Sequence, residues 1–353
     1  MIDLNGKKIL IVKLRYIGDT LSIVPVVGDL KRNFPSTAVD VMVHRGTEDL
    51  VKYHPDIRNV LVYDRSHARL NPISTALYHI NLINSLRSEK YDLVIDFTLG
   101  DRAAFLSFMT GAPQRITYKD SSTLSHILMN RIIVSDPSIQ HIVDYQLESL
   151  RYLGINSFEK KMTICIPEAV KEKTDRLLET SGINRSDSLK VVIHPGARGA
   201  FRQWRPERFA EIARQLKEKY DAAIILVGGP EEKNIIDKVE NSMGFPASFR
   251  SNEMQLLDMA ALLEKCHLFI GNDSAPGHIA AAVNCPNLTL FGPTFPHMWR
   301  PYGNNSAVVF KDLPCCGCRQ EECLRPEESC MDLIGTEEVW ETVEGMLHAL
   351  KLK

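Results

Sequence analysis

Between Lys8 and Asp19 the chain reads KILIVKLRYIGD, a run of apolar and β-branched side chains followed by a short loop and a Gly-Asp pair. A continuous apolar run of this length is typical of a parallel strand that is buried on both faces. Gly18 permits the tight turn that leads from such a strand into a helix. The pattern returns at residues 190–197 as KVVIHPGA. The sequence therefore predicts two α/β units, each with a buried first strand.

Short strand patterns alternate with helical patterns in both halves of the chain. The predicted strands are 8–13, 38–43, 60–63, 93–97, 190–194, 222–227, 268–271 and 287–291. Helical spacing is clearest at 74–87, 207–220 and 231–243, and Pro25 interrupts a helix predicted over 19–34. This alternation predicts an α/β fold of two doubly wound parallel sheets, with helices on both faces of each sheet. Ligands are then expected at the carboxyl ends of the strands, facing a cleft between the domains.

The length of 353 residues fits about two domains. A polar helical pattern ends at Gly182 and the charged residues 184–188 follow it, which places the boundary near 170–185. We predict an N-terminal domain over residues 1–175 and a C-terminal domain over residues 185–353. A last helix is predicted over 336–352, with Thr336 as a candidate N-cap.

Composition excludes several classes of protein. Hydrophobic residues make up 44% and charged residues 24% of the chain, which is ordinary for a globular protein. A net charge of -2 argues against a protein that coats nucleic acid, so no nucleic-acid partner is expected. The apolar runs, such as 222–227, are too short for a membrane span, and the first residues lack a signal-peptide core. These features predict a cytoplasmic protein.

The first candidate site residue is Asp19, which follows the first strand at its carboxyl end. A carboxylate there can act as a general base in a cleft. It can equally cap the helix that follows, by accepting hydrogen bonds from the first N–H groups. The two roles partly conflict, because a capping carboxylate has a lowered pKa and is a weak base.

The second candidate site is the loop 194–199, HPGARG, together with residues 201–207, FRQWRPE. The glycines present backbone N–H groups, and Arg198, Arg202 and Arg205 add positive charge, which together suit a phosphate or diphosphate. The spacing matches neither a dinucleotide fingerprint nor a P-loop. The alternative is a solvated basic connection.

Two further loops follow strands in the same half. Residues 271–278, GNDSAPGH, start a helix with small residues, so an anion can approach its first N–H groups, with Ser274 or Ala275 as the cap. His278 in that helix is either a ligand contact or an ordinary packed or surface residue. In residues 228–232, GGPEE, a carboxylate can accept hydrogen bonds from ribose hydroxyls or stabilise the next helix N-terminus.

Five cysteines lie within one segment: Cys315, Cys316, Cys318, Cys323 and Cys330. The spacing of the first and third is acceptable for zinc, but the whole set matches no standard zinc finger. A bound metal, reduced thiols and disulfides all remain open, and we assign this segment (315–330) no chemistry.

Taken in order, these motifs resemble glycosyltransferase family 9, the ADP-heptose:lipopolysaccharide heptosyltransferases of Gram-negative bacteria. The resemblance covers nearly the whole chain, and the cysteine-rich segment before Met331 is also similar to one in many members. The motifs that carry it are IGD at 17–19, Pro25, LVID at 93–96, GAP at 111–113, HPGA at 194–197, RQW at 202–204, PERFA at 206–210, GGP at 228–230, NDS at 272–274 and HIAAA at 278–282.

The resemblance implies the GT-B fold, with two Rossmann-like domains that face an interdomain cleft. The N-terminal domain is then acceptor-binding and the C-terminal domain holds the nucleotide-sugar donor. Asp19 matches the family's catalytic aspartate, and Arg202 stands where many members have a lysine that contacts the donor phosphates. Glu232, rather than Glu231, matches an acidic position associated with the donor ribose. The other residues assigned to the donor are Gly196, Asp273, Ser274, Ala275, Gly277 and His278, and Ala275 stands where members more often have glycine.

The implied reaction is an inverting transfer of a sugar, heptose in the best-known members, from a nucleoside-diphosphate sugar to a lipopolysaccharide-core or other surface-saccharide acceptor. No Asp-x-Asp triplet occurs in the chain, so a metal-independent enzyme without a cofactor is expected. Lipopolysaccharide cores carry carboxylates and phosphates, so Arg65, His67, Arg69 and Arg102, which follow predicted strands, are either acceptor-binding residues or a solvated loop. The acceptor would lie at the inner membrane surface, with the enzyme in the cytoplasm and, in one version, peripheral to the inner face of that membrane.

Three other functions fit the same layout. A nucleotide-dependent oxidoreductase is disfavoured by the missing dinucleotide fingerprint. A nucleotide-sugar epimerase with the GT-B layout would consume donor without acceptor. A non-catalytic paralogue would bind the nucleotide and consume nothing.

Overall fold

The computed structural model describes residues 3–66, 71–120, 122–183, 188–318, 323–325 and 327–350. The chain divides into two compact units, Met1–Cys165 (unit 1) and Ile166–Lys353 (unit 2). This division lies earlier than residue 175, so the polar helix after Pro167 belongs to unit 2.

Unit 1 contains one parallel sheet with helices on its faces. Its strands are β1 (Lys8–Lys13), β2 (Ala38–His44), β3 (Asn59–Tyr63), β4 (Leu93–Asp96), β5 (Gln114–Tyr118) and β6 (Arg131–Ile133). Its helices are α1 (Ile17–Leu21), α2 (Val24–Asn33), α3 (Pro72–Ser88), α4 (Asp101–Met109), α5 (Thr123–Leu128) and α6 (Ile142–Tyr152). The strand order is β3-β2-β1-β4-β5-β6.

The central strand β1 explains why unit 1 folds this way. Ile9 pairs with Val39 of β2 on one side and with Leu93 of β4 on the other, and five of the six β1 residues are buried. The chain leaves β1 towards β2 and returns beyond it to β4, so the strand order reverses between β1 and β4. Ligands of doubly wound sheets bind outside such a reversal, at the carboxyl ends of the strands.

Unit 2 repeats this topology. Its strands are β7 (Lys190–His194), β8 (Ala223–Val227), β9 (Phe249–Ser251), β10 (Leu268–Asn272), β11 (Asn287–Phe291) and β12 (Ser306–Phe310). Its helices are α7 (Glu168–Thr180), α8 (Pro206–Tyr220), α9 (Lys233–Met243), α10 (Leu256–Glu264), α11 (Ala275–Ala282), α12 (Pro296–Trp299) and α13 (Thr336–Ala349). The order β12-β11-β10-β7-β8-β9 is that of unit 1 when it is read from β9. The reversal in unit 2 therefore lies between β7 and β10.

The predicted fold of two doubly wound parallel sheets is confirmed. Every predicted strand is present. The helix predicted over 19–34 is broken between Leu21 and Val24, and Pro25 occupies the first turn of α2. Four strands were not predicted: β5, β6, β9 and β12. Three of these lie at sheet edges, where exposed side chains interrupt the apolar runs that mark a central strand.

One predicted cap is wrong. Thr336 is the first residue of α13 and not its N-cap, which is Gly335. The Gly335 N–H donates to the side chain of Glu338 at 2.8 Å, so the glutamate supplies the capping bond instead. Within the described residues, no helix is long and apolar enough to cross a membrane.

Candidate active site

In unit 2 a buried histidine and a carboxylate meet at the carboxyl edge of the sheet. His194 is the last residue of β7, and its Nε2 lies 3.1 Å from Oε2 of Glu232, in the short turn after β8. The same carboxylate oxygen accepts a hydrogen bond from the Gly229 N–H at 2.7 Å. Burial alone would raise the pKa of Glu232, but the hydrogen bond and charge of His194 and the Gly229 N–H outweigh it and lower the pKa. Glu232 is therefore an ionised acceptor at this edge.

Two glycines make room for this carboxylate. A methyl group added at Gly196 would overlap the Glu232 carboxylate, and one added at Gly228 would lie 3.1 Å from its Oε2. Gly196 therefore contributes at least by seating Glu232 beneath the loop that follows β7. The sequence had assigned these two residues to the donor separately, and the structure brings them into direct contact.

The start of α11 lies beside the same histidine. Ser274 is its N-cap residue, with extended backbone and no side-chain capping bond. Its Oγ instead donates to the carbonyl of Asn272 at 3.1 Å and lies 3.3 Å from Nδ1 of His194. Ala275 begins the helix, and a small residue there leaves the approach to the positive helix end open.

For Gly277 and His278 the structure gives less direct evidence of a role in donor binding. A methyl group at Gly277 would lie 3.1 Å from Oγ1 of Thr289, so this glycine permits α11 to pack closely on β11. His278 follows it in the first turn of α11 and is half-buried. Their assignment to the donor stays a prediction.

Arg202 and Asp273 form an ion pair over the β10 end of this edge. Arg202 Nη2 donates to Asp273 Oδ2, and the Thr294 hydroxyl donates to the same oxygen. The Nε atom of Arg202 is buried without a partner among the described residues. A buried guanidinium N–H without an acceptor is costly, so this group is available to an incoming anion.

The structure adds two residues to which the sequence analysis assigned no role. The buried amide of Asn272 accepts from the Trp204 N–H at 3.0 Å and donates to the Pro195 carbonyl at 2.7 Å, so it holds both ends of the loop that carries Gly196 and Arg202. Thr294 orients Asp273. Asn272 was visible as a polar residue at the end of an apolar strand, whereas the contact of Thr294 depends on tertiary structure alone.

In unit 1, Asp19 lies at the carboxyl edge near the reversal between β1 and β4. It is the third residue of α1, whose N-cap is Tyr16 without a side-chain cap, so the interpretation of Asp19 as the cap is wrong. Its Oδ1 instead pairs with Nζ of Lys13 at 2.9 Å, and the lysine also donates to the Phe97 carbonyl at 3.0 Å. The Lys13 side chain is 3% exposed and that of Asp19 is 12% exposed, so the pair is fixed while the carboxylate reaches the surface.

A turn after β4 borders this pair. Leu99 has φ +64° and Gly100 has φ +89°, and such a conformation at leucine costs about 1 kcal/mol. The Thr98 N–H donates to Asp96 at 2.8 Å, and the Leu14 N–H donates to the Thr98 hydroxyl at 2.7 Å. Burial raises the pKa of Asp96 to about 7. The N–H groups of Thr98 and Leu99 and the charge of Lys13 lower this pKa, but burial outweighs them.

An open pocket of about 260 Å³ lies between this turn and the loop after β1. Arg65 and Arg102, both predicted to bind the acceptor, line it together with Arg15, which the sequence did not single out. Arg15 donates to the Thr98 carbonyl and Arg65 to the Leu14 carbonyl. His67 and Arg69 lie outside the described residues.

The five clustered cysteines are free thiols that line a separate small cavity in unit 2. Burial raises the pKa of Cys330 to about 11. Among the described residues, no three cysteine, histidine or acidic side chains are placed to share a metal ion. The segment lies against the loop that follows β11, since the Cys316 thiol donates to the Pro293 carbonyl.

Comparison with known proteins agrees with the motifs. The model of glycosyltransferase family 9 (heptosyltransferase) matches residues 79–328. The chain is 30% identical over 311 residues to lipopolysaccharide heptosyltransferase 3 of Escherichia coli, which covers 85% of this chain and 89% of that protein. The glycosyl transferase family 9 structure from Veillonella parvula superposes with a TM-score of 0.86 at 23% identity and 99% coverage of both chains. The structure of E. coli heptosyltransferase WaaC with ADP superposes with a TM-score of 0.76 at 20% identity, and the match covers 96% of this chain and 99% of that chain.

The structural matches establish the fold as GT-B, so the two sheets are its two Rossmann-like domains. The family model covers most of the chain, and the curated relative aligns over most of its own length. The resemblance drawn from the motifs is confirmed: this chain is a glycosyltransferase and belongs to glycosyltransferase family 9, the heptosyltransferase family.

Proposed function

We propose that this enzyme transfers heptose from ADP-heptose to a sugar of a lipopolysaccharide core, with inversion at the anomeric carbon. The names of its relatives support the choice of sugar and acceptor, since the curated matches are lipopolysaccharide heptosyltransferases and one solved neighbour carries ADP-2-deoxy-2-fluoro heptose. The acceptor is then part of a lipid-anchored glycan, so the reaction takes place at a membrane surface.

Unit 2 holds the donor in this proposal. The diphosphate lies against Arg202 and the first turn of α11, where a guanidinium and a helix N-terminus both favour negative charge. Glu232 accepts hydrogen bonds from the ribose hydroxyls, because its lowered pKa keeps it ionised at neutral pH. As the glycosidic bond breaks, the leaving diphosphate keeps the electron pair, and these groups stabilise its charge.

Unit 1 supplies the base and the acceptor site. An acceptor hydroxyl oxygen attacks the anomeric carbon while Asp19 removes its proton through Oδ2, since Lys13 occupies Oδ1. Arg15, Arg65 and Arg102 bind carboxylates or phosphates of the acceptor in their pocket. The observation that carries the proposal is this placement of Asp19, held by Lys13 at the reversal of the sheet and not used as a helix cap.

The test compares nucleotides and acceptors directly. Thermal shift and calorimetry with ADP, UDP and GDP should show tightest binding for ADP, and ADP-heptose should be consumed only when a lipopolysaccharide-core acceptor is present. Consumption of donor without acceptor would indicate an epimerase. Binding of ADP without any consumption would indicate a non-catalytic paralogue.

A further inference from the structure

The exposed apolar side chains of this protein are concentrated in unit 1. Among the described residues, fifteen large apolar side chains are exposed, and Leu324 and Leu350 are the two in unit 2. Ten of the others lie between Ile73 and Ile139. Single exposed apolar residues need no explanation, but such a concentration marks a surface that contacts something.

Helix α3 is apolar on two sides. Leu82 and Leu86 face the core that β1 and β4 share, whereas Ile73, Leu77 and Ile80 point outward and are exposed, Ile73 by 74%. The spacing of four and three residues places the outer three on one stripe. A helix with apolar side chains on opposite faces is normally covered on both.

The next two crossover helices continue the stripe. In α4, Ala103 and Leu106 are buried while Phe105 and Phe108 are exposed. In the neighbouring α5, Leu124 and Ile127 are exposed, Ile127 by 71%. Helices α3 and α4 pack into one core cluster and α4 contacts α5, so the three helices cover the same face of the sheet.

Topology brings most of these side chains towards one edge. Each helix follows a parallel strand, so the first turns of α3, α4 and α5 all lie at the carboxyl ends of the strands, where the arginine pocket also lies. Val134, exposed by 78%, and Ile139 follow the carboxyl end of β6. Phe108 lies in the last turn of α4, beside Arg115 at the start of β5, and is left out of this surface. We call the other exposed apolar residues of α3, α4 and α5, together with Val134 and Ile139, the apolar rim.

The exposed charges around the rim are mostly positive. Arg15, Arg65, Arg102 and Lys119 are exposed at this edge, and α3 and α5 contain no aspartate or glutamate. Asp120 is largely covered and accepts the N–H of Gly100 at 2.8 Å, so its charge is turned inward. Two exposed carboxylates remain in the described part of this edge: Asp101 of α4, which accepts a hydrogen bond from Ser122, and Asp136, which lies between Val134 and Ile139.

We propose that the apolar rim docks unit 1 onto a lipid bilayer with anionic headgroups. Protruding aliphatic and aromatic side chains enter the boundary between headgroups and acyl chains, and the neighbouring arginines bind lipid phosphates, the combination that holds interfacial helices on membranes. A second copy of the chain fits less well, because two such rims would bring like-charged arginines together. The role of this docking in catalysis rests on the proposed function: the arginine pocket would then face a lipid-anchored acceptor at the level of its headgroup.

The test uses vesicles without substrate. Wild-type protein should float with vesicles of phosphatidylglycerol and phosphatidylethanolamine and much less with pure phosphatidylcholine. The triple variant Ile73→Gln, Leu77→Gln, Ile80→Gln should bind the anionic vesicles on the order of tenfold more weakly, because three apolar side chains no longer enter the bilayer. The matched control, Tyr152→Gln, Leu324→Gln, Leu350→Gln, alters three exposed apolar residues outside the rim and should bind like wild type.

Separate outcomes judge the docking surface and the reaction. A second rim variant, Ile127→Gln with Val134→Gln, covers the case in which the α3 variant does not fold. Wild-type flotation that fails with anionic vesicles, or that both rim variants retain, overturns the inference. So does sedimentation of a lipid-free dimer that the rim variants dissociate. Turnover with a lipid-free core saccharide should be unchanged in the rim variants, and its absence in wild type would count against the proposed function instead.

Discussion

At the scale of single residues, two aspartates near Lys13 have opposite environments. Asp19 pairs directly with the lysine and reaches the surface. Asp96 is fully buried, accepts a backbone N–H through one oxygen, and has no partner for the other among the described residues. The first suits proton transfer to and from a ligand, and the second suits holding a turn in place.

Replacement of Asp19 by asparagine should abolish most turnover. Asparagine keeps the shape of the side chain but cannot take the acceptor proton, and general-base assistance contributes roughly 10²–10⁴-fold. The affinity for ADP, measured by calorimetry, should be unchanged. Asp136→Asn, an exposed aspartate elsewhere in unit 1, is the control. A variant at position 19 with more than half of wild-type turnover would exclude the base role.

Replacement of Asp96 by asparagine should stabilise the protein at high pH. The folded pKa near 7 lies above the unfolded value of about 3.9, so wild-type stability falls as the pH rises from about 4 to 7. Asparagine can still accept the Thr98 N–H without a buried charge. Urea unfolding should therefore favour the variant by roughly 1 kcal/mol or more at pH 8, and the gain should vanish below pH 4.

Asp92 provides the control of opposite sign. The pKa of Asp92 is lowered, mainly because its carboxylate accepts the Lys8 N–H. The side chains of Lys7 and Lys8 lower this pKa further, and these effects outweigh partial burial. Its contribution to stability is therefore present at neutral pH and is lost as the pH falls through the lowered value. Asp92→Asn should destabilise the protein at pH 8 and have little effect in acid. Parallel pH profiles for the two variants would contradict both assignments.

At the scale of elements, the proposed donor site depends on loops that are held in place after the strands end. Asn272, at the end of β10, holds both ends of the single loop between β7 and α8, and Asp273 with Thr294 orients Arg202. Sequence could predict the strands that deliver these loops, because β1, β7 and β8 contain continuous apolar runs. It could not pair Arg202 with Asp273 or Asp19 with Lys13, since side-chain partners across loops leave no periodic signal.

Removal of the Asn272 amide should weaken nucleotide binding as well as stability. Asn272→Ala leaves the Trp204 N–H and the Pro195 carbonyl buried without partners, which costs roughly 2–4 kcal/mol of unfolding free energy. We expect ADP affinity to fall at least about tenfold, because the Arg202 loop loses its tie.

Asn287→Ala is the matched control for that variant. Asn287 is equally buried and donates to the carbonyl of Cys285 and the hydroxyl of Ser306, but it begins β11 at the opposite edge of the sheet. It should lose comparable stability in urea unfolding and keep ADP affinity in calorimetry. Equal losses of ADP affinity in the two variants would show that position 272 acts through stability alone.

Charge reversal in the arginine pocket should affect the acceptor and not the donor. The double variant Arg65→Glu, Arg102→Glu places two carboxylates in the 260 Å³ pocket, so an anionic acceptor is repelled. The KM for the acceptor should rise at least about tenfold with the KM for the donor unchanged. Arg87→Glu, at the far end of α3, should leave both values unchanged. Unaltered acceptor kinetics in the double variant would remove this pocket from the site.

At the scale of the whole molecule, each unit has its own sheet, its own reversal of strand order and its own site. The sequence predicts two units, because the apolar strand pattern restarts at residue 190. The predicted limit at 175 was less accurate, since the polar helix α7 carries no signal of the unit on which it packs. Contacts of α7 with α10 place it in unit 2.

Removal of divalent cations should leave turnover unchanged. The proposal neutralises the leaving diphosphate with Arg202 and the first turn of α11, and the chain has no Asp-x-Asp triplet. Initial rates in excess EDTA should match those with added Mg²⁺ to within about twofold. A rate that falls sharply in EDTA and returns with Mg²⁺ would mean that a cation helps to neutralise the charge of the leaving diphosphate.

The common strand order of the two sheets has a consequence for how such enzymes diversify. In the proposed function each half binds one substrate. Because each half also buries its own core, substitutions that change recognition of one substrate should leave the packing of the other half intact. Recombination near residue 165 would exchange one specificity and keep the other, with both cores intact. Lineages of this architecture can thus acquire new glycan targets by inheriting the halves from different parents.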